Sequence, residues 1–220
     1  MLAVFALNTL TYANMIYSFD IFNNQKYEND PRLNFTLTIS DEGLVAGRHT
    51  AGLRFDNNSA ISSSITDIYF DAHPDTGSSL IFNGVSIIEG TGVSFSKGAS
   101  PKTLPGGEML TPKFDKTPEY SADSDSPVSP SGINPNEWLK LVFTLKMGKN
   151  IDDLIAEIAA GGSATATNLR VGIHIQSLPA ACGSDSASAI NCALPIQPIP
   201  EPATICLLGL GALSLIRRKK

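Results

Sequence analysis

The sequence predicts an all-β fold, an antiparallel β-sandwich with one short helix, and three observations support this prediction. Several segments alternate apolar and polar residues with a period of two, which is typical of strands with one buried face. Clusters of Asn, Gly, Ser and Pro separate these segments, and such clusters form turns. Gly (18) and Pro (14) are also frequent among the 220 residues. Antiparallel strands that each have one wet face are expected to pack as two sheets.

Three segments carry the clearest alternation: LNFTLTIS, WLKLVFTLK and LRVGIHIQ. Their inward-facing residues are predicted to be Leu33, Phe35, Leu37 and Ile39, then Leu139, Leu141, Phe143 and Leu145, then Leu169, Val171, Ile173 and Ile175. The third segment places Arg170, Gly172, His174 and Gln176 on the opposite face. His174 is therefore expected to be a solvated surface histidine. Weaker strand candidates are LRFD, ITDIYFD and SLIFNGVSII.

One segment, NIDDLIAEIAAGG, has the spacing of a helix instead. Its apolar residues recur every three or four positions, at Ile151, Leu154, Ile155 and Ile158. Asn150 can cap the amino end, Asp152 and Asp153 suit the first turn, and Gly161 can end the helix. We expect about three turns that cover one end or edge of the sandwich.

Charge and motifs argue against two classes of function. The formal net charge is −5, and the four cations at the carboxyl terminus mask a body that is more acidic still. Such a body is a poor partner for nucleic acid, which needs a basic face. The sequence has no G-x-S-x-G, H-E-x-x-H, Walker or dinucleotide-binding motif, and its histidines, His49, His73 and His174, are scattered. We therefore expect a protein that is not an enzyme.

Acidic and aromatic residues offer two alternatives. Asp67, Asp71 and Asp75 form one acidic cluster, and Asp123 and Asp125 form another. Oxygen-rich loops of this kind can bind Ca²⁺, although solvated turn residues are the expected interpretation and no cofactor or metal site is predicted. The aromatic residues that could line a carbohydrate site on exopolysaccharide are Trp138, Tyr69, Tyr120 and Phe114. Packing in the core or at a sheet edge is the commoner role of such residues.

The three cysteines bear on export. Cys182 and Cys192 are close in sequence, and in an exported protein they are predicted to form a disulfide; two unlinked thiols are the alternative. Cys206 lies in an apolar stretch near the carboxyl terminus. Residues 1–13 look like the later part of a secretory signal peptide cleaved after Ala13, although the basic leading region is absent. The alternative is an apolar first strand.

We divide the remaining chain into a body domain (14–192), a Pro-rich spacer (193–202), and an apolar stretch with a basic tail (203–220). Residues 99–136 form a long Pro-, Ser-, Asp- and Gly-rich segment within the body, and loops of this length are usually functional or partly structured. The spacer is expected to be extended and semi-rigid.

The apolar stretch Ala203–Ile216 has fourteen residues and no charge, and it is predicted to form a hydrophobic helix. That helix would be about 21 Å long, which is short for a hydrocarbon core of about 30 Å. Arg217, Arg218, Lys219 and Lys220 would hold the end in the cytoplasm. A transient stop in the membrane is therefore favoured, and a permanent membrane anchor is the alternative.

The order Pro200-Glu201-Pro202, apolar stretch, four cations resembles the PEP-CTERM sorting signal. The resemblance implies secretion by the general secretory machinery and processing near the motif by an exosortase, a membrane-embedded cysteine transpeptidase. It also implies a bacterial host that makes exopolysaccharide, and a mature protein at the cell surface or in the extracellular matrix. In the body, YSADSDSPVSPSGINPNEWLKLVF and RVGIHIQS resemble a recurrent extracellular domain attached to the same tail, for which the resemblance implies no activity.

Overall fold

The structure is a computed structural model, and it describes residues 14–71, 82–114, 120–162 and 168–192. The predicted signal peptide, spacer and tail, together with His73, Asp75 and Cys206, lie outside the described residues. The predicted domain boundaries stay predictions.

Antiparallel strands make up most of the regular secondary structure in the described residues, so the predicted all-β class is confirmed. The strands are β1 (Met15–Ile21), β2 (Phe35–Val45), β3 (Arg48–Asn57), β4 (Ser64–Asp71), β5 (Phe82–Glu89), β6 (Phe95–Lys97), β7 (Ala122–Ser124), β8 (Trp138–Leu145), β9 (Arg170–Pro179) and β10 (Ser184–Asn191). The helices are α1 (Val128–Ser131) and α2 (Ile151–Gly161), with a 3-10 turn at Gly107–Met109. Within these ranges, no helix is long and apolar enough to cross a membrane.

The two layers of the sandwich belong to one nearly closed sheet of order β5-β8-β3-β2-β1-β10-β9-β4-β7-β6. We call β5, β8, β3 and β2 sheet half A, and β10, β9, β4, β7 and β6 sheet half B. Strand β1 joins them, because Met15–Ser18 pair with β2 and Phe19–Ile21 pair with β10. Phe70 of half B meets Phe55 and Phe143 of half A, with ring centroids 6.5 and 5.1 Å apart. The halves therefore pack face to face around one core.

Half A has the alternation that its sequence predicts. In β8 the four predicted inward residues are buried and the residues between them are partly exposed. In β2 the same holds from Phe35 to Ile39, beyond which the strand runs into solvent. Burying one such Leu or Phe side chain contributes about 1.5–3 kcal/mol, so this face stabilises much of the fold.

Half B is buried on both faces, which the alternation did not indicate. All eight residues of β4 and the first six of β9 are buried. Residues 99–114 lie over the outer face, where Leu104, Leu110 and Phe114 form a second apolar cluster with Tyr69. The prediction that His174 is a solvated surface residue is therefore wrong, because this residue is only 9% exposed.

Helix α2 begins where the sequence predicts. The backbone N–H of Asp153 donates to Asn150 Oδ1 (3.0 Å), and the N–H of Asn150 donates to Asp153 Oδ2 (2.9 Å), which completes a capping box. Its buried face includes Leu154 and Ile158. The helix contacts β2 and β3 of half A and β9 of half B, so it covers one end of the sandwich as expected.

The two body cysteines lie at opposite ends of β10 and are free thiols. Cys182 is exposed in the turn before the strand, and Cys192 follows its last residue, where the hydroxyl of Ser18 donates to the Cys192 sulfur (3.1 Å). A strand rises about 3.3 Å per residue, so these eight residues separate the thiols by about 26 Å. A disulfide needs Cα atoms within about 7 Å. The predicted disulfide is therefore wrong.

Candidate functional site

The candidate site of the body is a polar cluster on the outer face of half B, made of Asp67, Asp71, Asp123, Arg170 and His174. Three neighbouring strands contribute to it. The strand register places Asp71 opposite Arg170, and Asp67 opposite both His174 and Asp123. Directly opposed side chains on one face of an antiparallel pair are close enough to interact, so the sheet itself assembles the cluster.

A β-bulge sets which face of β4 carries the acids. The register with β9 shifts between Ile65 and Asp67, so the apolar residues Ile65, Ile68 and Phe70 all reach the core. Asp67, Tyr69 and Asp71 then fall on the outer face. The Tyr69 hydroxyl donates to the carbonyl of Pro101 (3.1 Å), and burial, followed by the charge of Asp67, raises the pKa of this phenol. The outer face therefore binds residues 99–114, which we call the covering segment, through polar as well as apolar contacts.

Arg170 and Asp71 form a fully buried ion pair. Arg170 Nε donates to Asp71 Oδ2 (2.8 Å), and Nη2 contacts the same oxygen. The guanidinium also donates to the carbonyls of Pro112 (2.9 Å) and Lys113 (2.8 Å), and it lies 5.3 Å from the ring centroid of Phe114. Buried charges are tolerated when their remaining hydrogen-bonding capacity is used in this way. The pair fastens residues 99–114 to the sheet.

His174 is held by a buried carboxylate. Its Nδ1 lies 3.0 Å from Asp67 Oδ2, and the hydroxyl of Thr66 donates to the same oxygen (3.0 Å). A carboxylate in this position fixes the orientation of an imidazole ring, both in acid–base sites and in purely structural pairs. A cavity of about 270 Å³ opens beside the ring, and Gln176, Ser184, Asp185 and Ser186 complete its lining.

Asp123, in β7, and Asp125, just after this strand, have pKa values shifted in opposite directions. Burial, followed by the nearby carboxylate of Asp67, raises the pKa of Asp123 to about 6. Asp125 accepts hydrogen bonds from the hydroxyls of Ser94 (2.7 Å) and Ser96 (2.8 Å), which lower its pKa. Like charges in contact favour protonation of one of them. Burial and the neighbouring carboxylate therefore both favour the protonated form of Asp123.

The sequence identified the acids of the cluster but not their partners. The sequence places Arg170 and His174 on a predicted solvent-facing side of β9. Polar residues that alternate along two strands can pair across them when the strands are neighbours, and this is the signal that could have indicated the pairs with Asp71 and Asp67. The Ca²⁺ alternative stays a prediction, with Asp71 engaged by Arg170 and Asp67 by His174. Across the described ranges, no three His, Cys, Asp or Glu side chains are grouped so as to hold a metal ion.

The aromatic residues considered for carbohydrate binding have packing partners. Arg54 lies over the ring of Trp138 (4.5 Å), and a Cβ at Gly90 would lie 3.2 Å from the same ring. The hydroxyl of Tyr120 donates to the carbonyl of Phe82 (3.1 Å), and the two rings meet edge to face. Phe114 lies under Arg170, as described above. These contacts match the packing interpretation.

The predicted sorting residues, Pro200, Glu201, Pro202 and the four terminal cations, lie beyond residue 192 and outside the described part of the chain. The structure does describe the strand that precedes them in the sequence, β10. Strand β10 lies inside the sheet, between β1 and β9, and the N–H of Cys192 donates to the carbonyl of Ser18 (2.9 Å). The segment that follows is therefore attached to a central strand.

Comparison with known proteins identifies this terminal segment. The family model of the PEP-CTERM protein-sorting motif matches residues 198–220, which include the tripeptide, the apolar stretch and the cations. No curated protein matches the chain significantly. The motif implies export, processing by exosortase and sorting to the cell surface. The resemblance seen in the sequence is thus confirmed: the chain carries a PEP-CTERM protein-sorting motif at residues 198–220, and its described body is a β-rich fold.

Proposed function

We propose that the body is a non-catalytic structural or interaction domain that the sorting motif delivers to the cell surface or the extracellular matrix. The observation that carries this proposal is the position of the motif. It begins at residue 198, a few residues after Cys192, where a central strand of the body ends. A fold attached in this way is delivered together with its signal.

The polar cluster supports a structural role for the body. The fully buried Arg170 joins β9 to β4 and to the carbonyls of residues 112 and 113, and the Asp67–His174 pair joins β4 to β9. Each of these contacts holds distant parts of the fold together. Buried networks of this kind can be purely structural, because they connect segments that are distant in sequence.

The motif residues have separate roles in this proposal. Pro200, Glu201 and Pro202 present an extended recognition site to the exosortase. Ala203–Ile216 hold that site at membrane depth, in an inner-membrane intermediate that the secretion machinery produces. Arg217–Lys220 keep the end in the cytoplasm.

A permanently membrane-anchored surface protein is the alternative. A carbohydrate-binding module that acts on exopolysaccharide is the alternative for the body, and the acidic charge argues against nucleic acid.

The test is the intact mass of the mature protein from a bacterium with and without its exosortase. With the enzyme present, we expect a mass that lacks residues 203–220. The variant Glu201→Ala should stay unprocessed in the membrane, whereas the matched control Gln197→Ala, outside the motif, should be processed normally. A mature mass that includes residues 203–220 would establish the permanent anchor instead. Processing that is unchanged without exosortase would contradict the sorting mechanism.

The non-catalytic part of the proposal has its own test. The mature protein should give no turnover on a panel of polysaccharides and should bind some of them at most. Turnover that disappears in His174→Gln, a variant that keeps a polar side chain beside Asp67, would overturn it.

A further inference from the structure

We infer that the end of the body covered by α2 contacts the lipid surface, through the exposed side chains of Leu44, Val45 and Met147, while the tail is in the membrane. We call this region the apolar end. The inference rests on the proposed function, because it requires the membrane intermediate. It adds a second membrane contact, made by the folded domain itself.

The tip of the hairpin formed by β2 and β3 is unusually apolar. It reads Gly43-Leu44-Val45-Ala46-Gly47, and Leu44 and Val45 are 66% and 60% exposed. Gly43, at a register shift within β2, and Gly47, in the turn, have positive φ angles of 86° and 75°, a conformation that glycine adopts readily. Turns are normally built from polar residues that water can solvate. Large apolar side chains at an exposed tip therefore indicate a surface on which the tip docks.

Met147 adds to the same end. It is 76% exposed and lies just beyond Leu145, the last residue of β8. Thr50 of β3 pairs with Gly43 on one side and with Thr144 of β8 on the other, so the two outer strands reach this level together. Their spacing is about 10 Å across two strand intervals. The hairpin tip and Met147 therefore project from one end of half A.

The last described strand, β10, runs toward this apolar end. Strand β1 is antiparallel to β2, and β10 is antiparallel to β1, so β10 runs in the direction of β2. The backbone N–H of Cys192 donates to the carbonyl of Ser18, and Ser18 pairs with Thr36 near the start of β2. Cys192 therefore lies at the level of Thr36. Strand β10, up to its end before Cys192, thus runs in the direction that leads along β2 toward Leu44.

The length of the connecting segment places the apolar end near the membrane. From the level of Thr36 to Leu44 the strand rises about 26 Å, at about 3.3 Å per residue. From Cys192 to Ala203, the first residue of the apolar stretch, the chain can extend at most about 36–40 Å. With the apolar stretch in the bilayer, a body aligned with its exit strand has its tip within about 14 Å of that stretch. A headgroup region is about 5–8 Å thick, so a connecting segment a few ångströms short of full extension brings the tip to the lipid surface.

Charges near the apolar end nearly balance. The cations are Arg48, Lys140, Lys146 and Lys149, and the anions are Asp41, Glu42, Asp152, Asp153 and Glu157. Lys140 pairs with Glu42 (2.9 Å), and Lys149 lies 3.9 Å from Asp153. Contact with lipid should therefore come from shallow insertion of apolar side chains and depend little on salt.

The experiment measures depth in full-length protein on vesicles of phosphatidylethanolamine and phosphatidylglycerol that contain a lipid brominated near its headgroup. Cys182, Cys192 and Cys206 are replaced by alanine, and a fluorophore is attached to Val45→Cys. The comparison site is Val128→Cys in α1, which packs at the start of β4, at the opposite end of the body. We expect at least about threefold stronger quenching at position 45 than at position 128.

A second variant separates insertion from mere proximity. Leu44→Ser with Met147→Ser should reduce quenching at position 45 about twofold or more. The matched control Ile88→Ser, which alters an exposed apolar residue on edge strand β5, should leave it unchanged. Equal quenching at positions 45 and 128 in vesicle-bound protein would overturn this inference alone. Failure of the full chain to float with vesicles would overturn the proposed membrane stage, and the inference with it. Self-association abolished by Leu44→Ser, without quenching, would assign the apolar end to a second copy of the chain.

Discussion

The two sheet halves share a sequence pattern and differ in what covers their polar face. In β8 of half A, Lys140 reaches Glu42 at the surface, where the side chains remain 25% and 30% exposed. In β9 of half B, the equivalent outward cation is Arg170, and it and Asp71 are fully buried. Alternation therefore identifies the core face of a strand, but it does not reveal whether another segment lies over the opposite face.

The cover on half B explains why its polar residues differ in kind from those of half A. A buried ion pair loses its hydration and is stable only when other hydrogen bonds compensate. Arg170 obtains them from Pro112 and Lys113 in the covering segment. At the exposed half, a flexible lysine suffices because water solvates it. We expect the two halves to respond differently to matched substitutions.

The largest difference should come from removing the outward cation of each half. Arg170→Ala leaves Asp71 buried without its partner and detaches the covering segment, and it should lower the free energy of unfolding by about 3–5 kcal/mol. Lys140→Ala breaks a surface pair and should cost less than about 1 kcal/mol. Urea denaturation measures both. Similar losses in the two variants would contradict the distinction between the halves.

The next difference concerns glycines in the two halves. A Cβ at Gly172 would lie 2.8 Å from Leu104 Cδ2 and 3.1 Å from Phe114 Cζ, whereas a Cβ at Gly84 has nothing within 4 Å. Gly172→Ala should therefore destabilise the fold by about 1–3 kcal/mol through overpacking, and Gly84→Ala should stay within about 0.5 kcal/mol. Thermal unfolding checks this pair. A neutral Gly172→Ala would mean that residues 99–114 do not pack tightly on β9.

A smaller, pH-dependent difference is expected at Asp123. The folded-state pKa is raised from 3.8 to about 6, so its contribution to stability is full at acidic pH and is lost as the pH rises through about 6. Asp123→Asn stays neutral and should be more stable than the natural chain at pH 8, by about 1 kcal/mol after allowance for solvent screening. The two should converge near pH 4.

Asp125→Asn is the control for this prediction, since the pKa of Asp125 is lowered by its serine partners. Ionised Asp125 stabilises the fold above its ordinary pKa, so this variant should be less stable at pH 8, the opposite sign. Urea denaturation at pH 4, 6 and 8 gives both curves. A gain for Asp123→Asn that is the same at all three pH values would refute the protonation argument.

The smallest expected effect is that of reducing agent on half B. With the thiols at opposite ends of β10, dithiothreitol should leave the free energy of unfolding unchanged.

Cys182 is exposed, whereas burial raises the pKa of the Cys192 thiol to about 11. Because the thiolate is the reactive form, iodoacetamide at pH 8 should modify Cys182 about tenfold faster or more, as measured by peptide mass mapping. A disulfide-linked peptide that contains both residues would show our structural conclusion to be wrong.

Much of the fold could be predicted because the relevant signals are local. The period of two located β2, β8 and β9, and the cap at Asn150 located the first turn of α2. The candidate cluster in the body was only half predicted. The sequence shows its aspartates as a local cluster of acidic residues. However, Asp71 and its partner Arg170 are 99 residues apart in the sequence. Nothing in either local sequence indicates that the covering segment will exclude water from both.

The sequence by itself determined the sorting motif, because that motif is short, contiguous and defined by residue order. It also determined which faces of the strands meet the core, since the alternation of side chains is a property of the extended backbone. Only the tertiary structure decided that one sheet forms both layers, that residues 99–114 cover Arg170, that His174 is buried beside Asp67, and that β10 keeps the cysteines apart. These features depend on contacts between segments distant in sequence, and burial is set by what packs on a residue.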